Sequence, residues 1–105
     1  MSPKTGALVT VLYRRTPTFT FDTSYYLSTH VPLFTSKWAP HGLLKATVSE
    51  TVSDPEFVYE IVTEWETVKG YEDALKDEEE LKVIMDDVKN FTNGTPVFVV
   101  AKVLN

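Results

Sequence analysis

Proton chemistry near neutral pH needs a group that titrates there. With no cysteine and only two histidines in the chain, that leaves His30 and His41. Tyr26 stands four residues before His30, a spacing that stacks both side chains on one face of a helix. On the face toward a sheet, His30 becomes partly buried, and modest surroundings can make it donate or accept a proton. The spacing allows two readings. In one, His30 is a core histidine bonded to a tyrosine or a carbonyl, with Tyr26 and Phe34 filling space. In the other, His30 is a general acid or base and Tyr26 its catalytic neighbour. His41, in the turn Pro40-His41-Gly42, is expected to be exposed.

Tyr13, Phe34, Trp38, Tyr59 and Trp65 are the candidate substrate-binding residues. Most aromatic side chains in so small a domain belong to its core. If some volume stays unfilled, however, an aromatic cavity with one imidazole and one or two phenols suits a flat, apolar, hydroxylated ligand. Glu60 and Glu64 share the strand face opposite Tyr59, where a polar interface or a solvated surface explains them better than a paired acid and base. No His-x-x-x-His or His-Glu-x-x-His spacing occurs, so no metal site is expected. Glycine-rich phosphate loops and a Gly-x-Ser-x-Gly elbow are missing, which leaves nucleotide binding and triad hydrolysis without a basis.

The elements that must position these residues follow from periodicity. Ala7 to Arg14 is short and β-branched, a strand closed by Arg15-Thr16-Pro17. Asp22 stands at the N-cap position of a helix from about Thr23 to Trp38, and Pro32 inside it should kink the helix just after His30. Leu43 to Thr51 reads as a second strand, and the alternation of Phe57 to Glu66 marks a third. Val68, Tyr71 and Leu75 begin a second helix, weakened by Gly70. It resumes after an Asp77/Glu80 capping pair with the stripe Leu81, Ile84, Met85 and Val88. Asn93-Gly94 turns the chain into a last strand, Val97 to Leu104.

The order β-α-β-β-α-β predicts an α+β, ferredoxin-like fold: a four-stranded antiparallel sheet with helices on one face. The 105 residues suit one domain spanning 1–105. The first strand is apolar on both faces and the last nearly so, yet the helices cover one face only. A homodimer closing sheet on sheet as a dimeric α/β barrel is therefore expected. Fifteen acidic against ten basic residues give a net charge of −5, and no basic stripe is present, so nucleic acid is an unsuitable partner. No apolar run approaches the ~20 residues of a membrane span, and the start Met1-Ser2-Pro3-Lys4 lacks the apolar stretch of a secretory signal. A cytoplasmic protein is expected, in which the glycosylation patterns at Asn90 and Asn93 go unused.

At Phe21-Asp22-x-x-Tyr25-Tyr26-x-x-x-His30-x-Pro32-Leu33, then Lys37-Trp38-x-Pro40-x-Gly42-Leu43, the sequence resembles the EthD family of small dimeric α/β-barrel proteins. Glu64-Trp65-Glu66 and Asn90-Phe91-Thr92-Asn93-x-x-Pro96 extend the likeness along nearly the whole chain. The resemblance implies the fold just derived, a homodimer, and a pocket beside the first helix with His30 as the motif histidine. It also implies chemistry without metal or organic cofactor, of the kind found in ether degradation and aromatic polyketide pathways. The leading expectation is a lyase or isomerase (dehydratase or cyclase type) on an aromatic or polyketide-like substrate, with His30 moving the proton and Tyr26 or Tyr59 holding a substrate oxygen. A non-enzymatic binding or accessory protein and a cofactor-free monooxygenase remain as alternatives.

Overall fold

The computed structural model describes residues 4–105; the first three residues of the amino-terminal segment discussed above lie outside the described residues. Strand β1 (Ala7–Arg14) alternates between buried and half-buried positions until Arg14 reaches solvent. It sits centrally, paired antiparallel with β3 (Phe57–Trp65) on one side and β4 (Pro96–Lys102) on the other. Strand β2 (Leu43–Glu50) flanks β3, giving the order β2-β3-β1-β4. This is the antiparallel ferredoxin-like sheet that the element order predicts.

The chain enters its first helix through Asp22, whose carboxylate accepts the Tyr25 N–H. The helix does not run as one α-helix with a kink behind His30. A single turn, α1 (Thr23–Tyr25), passes into a π-helical stretch, Tyr26–His30, and only then into α2 (Val31–Trp38). In the π stretch the Val31 N–H reaches back five residues to the Tyr26 carbonyl. Pro32 has no N–H to offer the preceding turn, and the disturbance expected just after His30 takes the form of a widened turn that ends at His30 rather than a bend. Gly42, at φ 105°, ends the segment in the left-handed conformation that glycine adopts most easily.

The second helical region is two helices. Thr67 caps α3 (Val68–Lys76) at the Gly70 N–H, and Asp77 caps α4 (Glu78–Asp86) at the Glu80 N–H. Strand β2 ends one residue earlier than expected, and β4 opens at Pro96 and ends at Lys102.

Both helical regions pack on one sheet face. The core there includes Ala7, Val9, Ile61, Trp65, Ala74 and Ile84. Cross-strand register puts Leu8, Thr10, Leu12, Val62, Val97 and Val99 on the opposite face, which no described element covers. Val99 is 47% exposed. No helix among the described residues is long and apolar enough to cross a membrane.

Candidate active site

The widened turn carries the site. Tyr26 opens the π stretch and His30 closes it, and both side chains lie under the helix against the sheet, with ring centroids 5.2 Å apart. Phe91 completes the packing, 4.5 Å from the imidazole and 4.8 Å from the phenol ring. His30 is only 5% exposed, so it must find a polar partner or leave a nitrogen unsatisfied.

That partner is Asp87, just beyond α4. His30 Nδ1 lies 2.9 Å from Asp87 Oδ2. The other carboxylate oxygen, Oδ1, accepts the Tyr25 hydroxyl at 2.5 Å and the Asn90 amide at 2.9 Å. For Asp87, burial alone favours protonation, but the bonds from Tyr25, Asn90 and His30 outweigh it and hold the carboxyl below its ordinary range. For His30 the balance tips the other way: burial lowers its affinity for a proton, and the Asp87 carboxylate restores part of that loss. The consistent state is an ionised Asp87 accepting Nδ1–H from a neutral imidazole. Nε2 is then left as a free base.

His30 borders a cavity of about 60 Å³ that is almost wholly apolar. Val9, Val11 and Ile61 of the sheet form its floor, Phe34 and Trp38 of α2 a wall, and Met85 and Phe98 lie near its outer end, both about half exposed. Pockets that swallow a drug-sized ligand run to roughly 300 Å³ and more. At about 60 Å³ this cavity has room for only a small group.

Of the sequence-derived candidates, Tyr13, Tyr26, His30, Phe34 and Trp38 all border this cavity. Tyr59 and Trp65 do not. Tyr59 shares the inner face of β3 but lies toward its start, where it stacks on Phe21 with centroids 4.3 Å apart. Trp65 is fully buried behind Trp38, its indole N–H donating to Thr63 Oγ1 at 2.9 Å. Trp38 Nε1 is buried with no hydrogen-bond partner among the described residues. His41 is half-buried rather than exposed, with Nε2 3.3 Å from Glu80 Oε1.

Asp87 and Asn90 are the residues that sequence reasoning missed. One signal was present: Asp86-Asp87 puts acid at a helix C-terminus that carries no basic residue, against the helix dipole. A local choice that opposes the local field points to a role elsewhere in the fold.

No protein-family model and no curated protein matches the sequence. Solved structures do match in shape. An EthD-like protein from Ralstonia eutropha JMP134 superposes with a TM-score of 0.81 at 23% identity, covering 97% of this chain and 96% of that one. An ethyl tert-butyl ether D (EthD) family protein from Bacillus halodurans C-125 follows at 0.69 and 19%, covering 94% and 99%. SnoaB from Streptomyces nogalater, a cofactor-independent oxygenase, reaches 0.62 at 13%, covering 95% of each chain. In fold, this chain stands with the EthD-like proteins, as the residues around His30 implied.

Proposed function

We propose that this chain is an EthD-type, cofactor-independent enzyme that moves a proton on a small apolar substrate of aromatic or polyketide-like character. The reaction class is dehydration, cyclisation or isomerisation. His30 is its general acid and base, and Asp87 is the residue that positions His30. The observation that carries this reading is the buried imidazole, bonded through Nδ1 to an ionised carboxylate at the edge of an apolar cavity. A core histidine needs only a partner. This one has its partner held in turn by Tyr25 and Asn90, which fixes both the ring and its tautomer.

The uncovered sheet face supports a homodimer closing as an α/β barrel, since a patch of this kind on so small a domain favours association. A second reading, a cofactor-free monooxygenase, draws on the likeness in shape to SnoaB. A binding or accessory protein would use the same cavity without turnover. The test is turnover of aromatic ketones and anthrones by wild type and by His30→Gln, with and without oxygen. Proton transfer predicts oxygen-independent turnover that falls about 10²- to 10⁴-fold in the variant. Oxygen uptake would favour the second reading. Ligand binding with no turnover would leave the accessory role, and an unimpaired variant would remove His30 from the mechanism.

A further inference from the structure

Two more polar groups border the cavity, and no described residue partners either of them. Tyr13, from β1, and Tyr26, from the π stretch, are each 3% exposed, yet neither hydroxyl makes a hydrogen bond to any described residue. A buried hydroxyl without a partner costs free energy, and most native structures avoid one. Here there are two, on one apolar cavity beside His30. Neither oxygen is fully enclosed as Trp38 Nε1 is, and both residues border the cavity. Burial pushes the Tyr13 phenol up to about 12; burial, with the Tyr13 phenol close by, pushes Tyr26 further still. Both therefore stay protonated and act as donors throughout the physiological range. A third phenol on the cavity, Tyr71, packs against Trp65 instead, with centroids 5.3 Å apart, and makes no ring contact with His30.

Two O–H donors on the same cavity as one neutral nitrogen base define what they suit. The donors call for an oxygen acceptor, and their value rises as that oxygen gains charge in a site shielded from water. The base calls for a proton to remove close by. We infer that the substrate enters the cavity with a carbonyl group flanked by an acidic C–H, and that Tyr13 and Tyr26 donate to its oxygen as the enolate forms. His30 Nε2 takes the proton, the C–H bonding pair becomes the C=C bond, and the carbonyl π pair moves onto oxygen. Return of the proton to carbon restores the imidazole. This rests on the proton-transfer reading above and narrows its substrates to enolisable carbonyl compounds. The narrow cavity matches a carbonyl end inserted alone.

The test uses two probes on the whole protein. Cyclopentanone in D₂O, followed by proton NMR, reports exchange of the C–H groups beside the carbonyl. 4-Nitrophenol, followed by its absorbance, reports binding of an enolate-like oxyanion. Wild type is expected to accelerate exchange and to bind the probe as its phenolate. Tyr13→Phe and Tyr26→Phe should each slow exchange about 10²- to 10³-fold and weaken phenolate binding tenfold or more. Both should melt no lower than wild type, because the lost hydroxyl had no protein partner. Tyr59→Phe, away from the cavity, should behave as wild type. His30→Gln should lose exchange but keep phenolate binding; if it keeps exchange, the proton-transfer reading fails while the phenols remain in place. Wild-type exchange and phenolate binding in both Tyr→Phe variants, or neither activity in the wild type, would overturn the inference.

Discussion

His30 favours its neutral form because two unequal effects compete over its charge. Burial disfavours the imidazolium more than the Asp87 carboxylate favours it, so the proton leaves below the ordinary value of 6.5. The acid limb of kcat/KM should therefore fall below pH 6.5. In Asp87→Asn the supporting charge is gone, so that limb should move lower still while the plateau drops on the order of 10²- to 10⁴-fold, as the ring loses its fixed tautomer. A pH-rate profile of both proteins checks this, and a merely structural Asp87 would lower the plateau without moving the limb. Stability follows the same sign. The unfolded chain takes up the His30 proton before the folded one does, so the folded state loses ground as pH falls from 6.5 toward the lowered value. Tyr26 and His30 were legible in the sequence because one helix carries both. Asp87 was not, since 57 residues separate it from His30 and only the fold brings them together. Tyr59 and Trp65 show the opposite limit: alternation correctly gives their face of the strand, but position along it decides what they touch.

At the scale of elements, the alternating strands and capped helices were legible because each obeys a local rule. The π stretch was not, because Pro32 announces a disturbed ladder beside His30 without saying whether the chain bends there or widens a turn. Gly70 is a second case where local rules mislead. Inside α3, replacement by alanine should gain about 1 kcal/mol from helix propensity. A Cβ there, however, would lie 2.2 Å from the carbonyl oxygen of His41, against backbone that cannot swing aside. Overpacking of this kind costs roughly 1–3 kcal/mol, so the sign reverses. Gly70→Ala should unfold at lower urea than wild type, and an unchanged or higher midpoint would show that the turn at His41 yields easily. The contact also explains why α3 tolerates a poor helix former: glycine lets it seat on the turn that follows Trp38.

For the whole molecule, the element order and the apolar character of β1 and β4 gave both the fold and its uncovered face. Val99 sits on that face opposite Thr10, and as an exposed residue it contributes little to the single chain. Val99→Glu should leave the far-ultraviolet spectrum intact while placing a charge inside a sheet-on-sheet interface, where it has no partner. Sedimentation should then show wild type at twice the mass of the chain and the variant at once. A variant that remains a dimer would move the interface elsewhere.

The position of β4 at the rim of the sheet carries a cost for handling the protein. Val97-Phe98-Val99-Val100 runs along an open edge, half exposed on both faces over Phe98 to Val100, and within the strand Lys102 alone carries charge. Such a segment is a template for uncontrolled strand addition. Each newly made copy must spend some interval with it unguarded, so fast synthesis should favour inclusion bodies, and a charged residue introduced near the strand's end should raise the soluble yield.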